Sequence, residues 1–271
     1  MVLNSVFITE LKITKPISST NWRGLWTLYS REVRRFIKII GQTLLAPIIT
    51  TILFLIVFVV AFGKDRQIGE LSYTEFLVPG LMMMTILQNA FANTSTSIIS
   101  QKLNENIIDT LMPPLSPLEL VVGFVMGGAT RGLVVAIGVG FGLSLVIPIS
   151  INSISMVIFH AVGAASMMGA LGMITGIWAE KFDHVSTVTN FIILPLSFLS
   201  GTFFPITRFP ELLHNISYYN PFFYMIDGLR YGFSGQSFGS LFTGIIYVLS
   251  INFALWVICY WLVKSGYKLK A

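Results

Sequence analysis

The chain has 271 residues, of which 54% are hydrophobic and 11% charged, whereas a soluble domain carries about 25% charged residues. Too few polar side chains are present to coat a water-facing surface, so lipid is the expected surrounding of much of the outer wall. The net charge of +5 does not point to nucleic acid, because Lys and Arg gather outside the apolar runs, and the single cysteine, Cys259, excludes an intrachain disulfide or a cysteine metal cluster.

Residues 1–40 are expected to form a cytoplasmic arm. They lack an apolar core followed by a small-residue cleavage site, so no cleavable signal peptide is expected. Trp22, Leu25, Trp26, Tyr29, Val33, Phe36, Ile37 and Ile40 recur at three- and four-residue steps, with Arg23, Ser30, Arg31, Arg34 and Lys38 on the other face. The pattern predicts an amphipathic helix capped by Ser19, Thr20 or Asn21. It should lie in the headgroup layer, with Trp22, Trp26 and Tyr29 as interface anchors.

A hydrocarbon core of about 30 Å takes about 20 apolar residues in helix. Six stretches of the 41–271 region qualify: about 43–62, 76–99, 119–147, 154–178, 186–204 and 241–263. Backbone groups in lipid must be satisfied within the segment, so the expected fold is an all-α polytopic membrane protein with six transmembrane helices. Ser186, Thr187, Thr189 and Asn190 dilute the start of the fifth. Between the second and third, residues 104–112 read as a helix of about two turns, capped by Asn104 and ended by Pro113-Pro114. Glu105 and Asp109 share a face there, and with Ile107, Ile108 and Leu111 they suit a plug for a partner's groove. Gly123/Gly127, Gly128/Gly132, Gly138/Gly142 and Gly172/Gly176, each spaced by four, predict close helix packing. Pro205, Pro210 and Pro221 cut the aromatic segment 205–240 into two predicted short helices, 210–218 and 222–233. Such a segment should dip back into the outer interface as a re-entrant helical hairpin.

Lys and Arg set the orientation. Twelve fall on the side of the termini (seven in the arm from Lys12 to Lys38, then Lys102, Lys181, Lys264, Lys268 and Lys270) against four on the other (Lys64, Arg66, Arg208 and Arg230), so both termini are placed in the cytoplasm. Charges inside spans default to a functional role; these are Arg131 and, in the fourth span, His160, both possible pathway residues. No Asp or Glu lies in the interior of a span, which counts against proton- or cation-coupled carriers. No P-loop motif G-x-x-x-x-G-K-[ST] and no H-E-x-x-H occurs, and no carboxylate–His cluster is present, so the chain is not expected to be an enzyme. If it pumps, its energy must arrive through a partner. The alternative is a secondary transporter or channel without an ATPase partner, which would need internal repeats and a coupling site. A membrane-embedded enzyme or assembly factor would need a polar cluster at one membrane face.

Two local patterns carry a resemblance. One is Pro114-Leu115-Ser116-Pro117-Leu118-Glu119-Leu120 with Gly123. The other is Ser200-Gly201-Thr202-Phe203-Phe204-Pro205 followed by Asn220-Pro221-Phe222-Phe223-Tyr224, Asp227 and Arg230. With the helix pattern, they resemble the type-2 ABC transporter permeases over about 20–268. The stretch Glu105-Asn106-Ile107-Ile108 departs from the Gly-Thr pair that many members carry on the coupling loop. The resemblance implies an exporter permease in a bacterial cell inner membrane. Two copies would pair around a pathway and be driven by separate ABC ATPase subunits that bind the ATP and Mg. It places Glu105, Ile108 and Asp109, with Arg34 and Arg35 nearby, at the ATPase contact. Pro205, Asn220, Pro221, Tyr224, Asp227 and Arg230 belong to the hairpin, and lipids are the remaining partner.

Overall fold

The computed structural model describes residues 20–63 and 66–269. Lys12, Lys15, Ser19, Lys64 and Lys270, used above for capping and orientation, lie outside them, as does the rest of 1–19. The described residues form eleven α-helices and one two-stranded antiparallel hairpin.

Helix α1 (Trp22–Ile37) is capped by Asn21, whose side chain accepts from the Gly24 amide. A π turn (Gly41–Leu45) leads into α2 (Ala46–Phe62). The strands β1 (Gln67–Ile68) and β2 (Leu71–Ser72) precede α3 (Tyr73–Leu103), which opens on a capping box between Ser72 and Glu75. Helices α4 (Ile107–Leu111), α5 (Pro117–Ser144) and α6 (Ile154–Trp178) follow. Then come α7 (Phe182–Val188), a second π turn (Thr189–Ile193) and α8 (Leu194–Phe198). A 3₁₀ turn (Ile206–Arg208), α9 (Glu211–Ser217), α10 (Pro221–Ser234) and α11 (Leu241–Ser265) complete the chain.

Five helices are long and apolar enough to cross a membrane: α2 with its π turn, α3, α5, α6 and α11. The protein is therefore a mostly helical, polytopic membrane protein. The 186–204 stretch is not one long α-helix, and its α-helical pieces are separated by the second π turn. Proline explains both π turns. Its ring clashes with the carbonyl four residues back and it donates no hydrogen bond. Pro47 and Pro195 each follow a π turn by two residues, so the crowded carbonyls are those of Thr43 and Phe191, inside the turns. At Leu194 the amide reaches back five residues to the Thr189 carbonyl, the wider bonding such a turn requires.

Helix α3 is the core, buried along most of its length between α5 and α6. The glycine pairs now have partners. A Cβ at Gly172 of α6 would stand 2.5 Å from the Phe91 carbonyl oxygen of α3, so only glycine allows this approach. On α5, Gly123 and Gly127 receive Leu28 and Glu32 of α1. Spacings of four on both helices bring them together like teeth.

Two expectations are corrected. The buried stripe of α1 is Leu28, Glu32 and Phe36, so α1 is clamped along α5 as well as presenting apolar residues outward. The 104–112 segment is helical only over Ile107–Leu111, and Asn104 closes α3 instead of capping α4. Glu105 turns the chain with φ +60° and therefore does not share a helix face with Asp109. The predicted stop at Pro113-Pro114 holds, and the short helices of the aromatic segment lie at α9 and α10, close to their predicted limits.

Candidate functional site

A cavity of about 530 Å³ opens between α2, α3, α5 and the α7–α8 segment. Arg131 lies on its wall, with Gln42, Thr43, Gln88 and Asn89 among the polar groups. Both π turns face it, through Gln42 and Thr43 on one side and Thr189 and Ile193 on the other. π turns are rare and concentrate at functional sites. No acidic side chain lines this cavity.

Arg131 sits beside a contact to α1, where its neighbour Thr130 meets the Tyr29 hydroxyl at 3.0 Å. His160 does not join it. The ring is fully buried, its Nδ1 lies 3.0 Å from the Met156 carbonyl oxygen, and Gly228 of α10 makes the room for it.

A second, larger groove of about 850 Å³ lies between α1, the end of α3 and the α4 turn. Arg31, Arg34, Arg35 and Lys38 line it opposite Asp109. Glu105, Ile108 and Asp109 are exposed, as are Trp22 and Trp26 at 71% and 67%. Tyr29 is half-buried instead, packed on Trp26 and bonded to Thr130.

A polar chain that hydrophobic periodicity did not reveal runs from this groove to Asn93 of α3. Arg31 donates to Thr110 of α4 (2.7 Å) and to Gln101 of α3 (3.2 Å), and pairs with Glu32 at 3.3 Å. Glu32, buried against Gly127, also pairs with Arg35 at 3.6 Å. Arg35 donates to the Asn93 carbonyl and side chain of α3 while lining the groove beside Arg34. Burial lowers the Arg35 pKa below its ordinary value, against the attraction of Glu32. The readable signal was the step of four from Leu28 through Glu32 to Phe36, matched by Gly123 and Gly127.

The residues singled out in the aromatic segment 205–240 form a structural knot. Arg230, 1% exposed, donates to the carbonyls of Phe76 (3.2 Å) and Gly201 (2.8 Å) and pairs with Asp227 at 3.6 Å. Its guanidinium lies 3.9 Å from the centre of the Phe76 ring. Asp227 accepts the amides of Phe238 (2.8 Å) and Gly239 (2.9 Å). Asn220 caps α10 and donates to the Leu196 carbonyl at 2.7 Å, Pro221 begins α10, and Tyr224 packs on Tyr247. Pro205 is buried at the start of the 3₁₀ turn. These contacts tie α10 to α3 and to the end of α8.

The family model described as ABC-2 type transporter matches residues 23–234. The Inner membrane transport permease YadH of Escherichia coli (strain K12) is 35% identical over 255 residues, covering 92% of this chain and 98% of that protein. Nodulation protein J of Rhizobium leguminosarum bv. viciae is 22% identical over 231 residues, covering 82% of this chain and 86% of that protein. With a transporter model over most of its length and a transport permease matched nearly end to end, the chain belongs to the ABC-2 type transporter family and is a membrane transport permease.

Proposed function

We propose that the chain is the membrane-spanning subunit of an ABC exporter, working as a pair of copies on separate ATPase subunits that bind ATP and Mg. It sits in a bacterial inner membrane with both termini cytoplasmic. The α7–α8 segment completes a sixth crossing, and α9–α10 form a re-entrant hairpin on the outer side. The cavity beside Arg131 is the protomer's share of the pathway, closed by the second copy.

The observation that carries this reading is the polar chain from α4 through α1 to Asn93 of α3. The ATPase docks at the α4 turn and the basic groove, through Ile108, Asp109, Glu105 and Arg34. Its closure moves α4, and Arg31 passes that movement to α1 through Thr110. Because Glu32 and Arg35 fasten α1 to α5 and α3, the π turn leading into α2 shifts with it. Two packings of one interface, biased by nucleotide, then alternate the cavity's access. That one relative is a transport permease and another a nodulation protein fits this reading.

The test is reconstitution. Co-expressed with a P-loop ATPase encoded beside it, the chain is expected to co-purify with that subunit and to show substrate-stimulated ATP hydrolysis in liposomes. Uphill solute movement by this chain alone, without any nucleotide-hydrolysing subunit, would overturn the reading and favour a secondary transporter.

A further inference from the structure

We propose that the cavity beside Arg131 binds the oxyanion headgroup of an amphiphile, with the Arg131 guanidinium as its charge-bearing ligand. This rests on the cavity being a transport pathway and names what occupies it.

The guanidinium is unspent. Among the described residues its side chain makes no ion pair and no hydrogen bond, and its Nε is buried without a partner. The other two inward-turned arginines are engaged, Arg35 by Glu32 and Asn93 and Arg230 by Asp227 and two carbonyls. A charge away from bulk water and without a counter-ion is costly, and it persists where an arriving ligand supplies the opposite charge. Among the described residues Arg131 is the charged side chain on the cavity wall, which holds no carboxylate. That field attracts an anion and repels a cation. Guanidinium also presents paired N–H groups that match the paired oxygens of phosphate or carboxylate.

The rest of the wall fits the neutral part of such a headgroup. Thr43 is 4% exposed and its hydroxyl has no partner. The Thr50 and Thr85 hydroxyls each donate at 2.7 Å to carbonyls of their own helices, Ala46 and Met82, leaving oxygen lone pairs for a ligand's hydroxyls. Pro47, Phe54, Leu81 and Met84 supply apolar wall between them. A volume of about 530 Å³ suits a headgroup and not a whole two-chain lipid. The outward face of α2, with Leu45, Ile49 and Leu53 exposed, offers the apolar surface along which tails would lie.

The experiment uses the full chain in detergent without ATPase. Binding of a lysophosphatidic acid, a lysophosphatidylcholine and inorganic phosphate is measured by native mass spectrometry and microscale thermophoresis. The anionic lysolipid is expected to bind at least about tenfold more tightly than the neutral one, a gap of about 1.4 kcal/mol. Arg131→Gln should abolish that preference, and Arg131→Lys should keep part of it. Gln88→Leu, which keeps the charge, serves should Arg131→Gln fail to fold; it should weaken the lysolipid while preserving anion preference. Equal binding of both lysolipids, or an Arg131→Gln protein that still prefers the anion, overturns the proposal. Phosphate binding as tightly as the lysolipid overturns the amphiphile part and assigns the site to a free anion. Because no nucleotide is involved, these outcomes leave the exporter reading to stand or fall on ATPase coupling alone.

Discussion

Glu32 on α1 and Gly127 on α5 meet so closely that a Cβ at Gly127 would stand 2.5 Å from the Glu32 Cβ. A carboxylate is thereby buried on a helix whose sequence reads as a surface anchor. Gly127→Val should push α1 off α5, at about 1–3 kcal/mol for overpacking. Thermal unfolding in detergent should show the loss, and trypsin should reach Arg31 faster. An unchanged melting temperature would mean that α1 is not fastened there.

The link from α4 to α1 should be cooperative. Arg31→Ala and Thr110→Val each remove the same 2.7 Å hydrogen bond, so the double variant should lose little more stimulated ATPase activity than either single one. A coupling of about 0.5–3 kcal/mol is the expected range for residues in contact. Strictly additive losses would show that the two residues act separately.

Removing one member of the Arg230–Asp227 pair should harm more than removing both. Asp227→Asn leaves a guanidinium buried with only the Phe76 and Gly201 carbonyls, and weakens acceptance from the Phe238 and Gly239 amides. A loss of about 3–5 kcal/mol follows from stranding a buried charge. The apolar double variant Asp227→Leu with Arg230→Met should recover part of it, measured by denaturation in detergent.

The tail should loosen in acid. Lys268 donates to Glu180 at 2.6 Å, joining the end of the chain to the α6–α7 connection. The hydrogen bond from Lys268 holds the Glu180 carboxyl below its ordinary pKa, and the same bond holds the Lys268 ammonium above its own. The Glu180 contribution is present above the unfolded carboxylate pKa and is lost as pH falls through the lowered value. The Lys268 contribution is complete below the ordinary lysine pKa and is lost as pH rises through the raised value. Between those limits the tie is intact, weakened by salt because it is exposed. Hydrogen exchange over 264–269, corrected for its intrinsic pH dependence, should rise at the acid end, and Glu180→Gln should show that rise at neutral pH. A flat corrected profile would show that the pair does not restrain the tail.

Helix α6 was legible because an unbroken apolar run of membrane length has few other forms, and its limits match the prediction at 154–178. Helices α9 and α10 were legible because proline marks where helices start. Glu32 was not, since a carboxylate on an amphipathic helix is read as water-facing unless the opposing glycines are known to face it. The turn at Glu105 was hidden for another reason. A positive φ in a residue other than glycine is set by what surrounds it, here the close of α3, where the Glu105 amide bonds back to the Lys102 carbonyl and the Asn106 amide to that of Gln101, and it leaves no mark in the residue type. In the site, Arg131 stood out by its charge, whereas the pocket around it depends on three helices and a broken segment that only the fold assembles.

Each π turn stores one surplus residue in a helix that lines the cavity. Were it squeezed out into ordinary α geometry, every side chain beyond it would swing about 100° around its axis, the angle one residue subtends. Flanking helical bonds would survive on both sides. Which groups face the cavity at Gln42 and Thr43 on one wall, and at Thr189 and Ile193 on the other, is therefore set by these surplus residues and not by the α3, α5 and α6 scaffold.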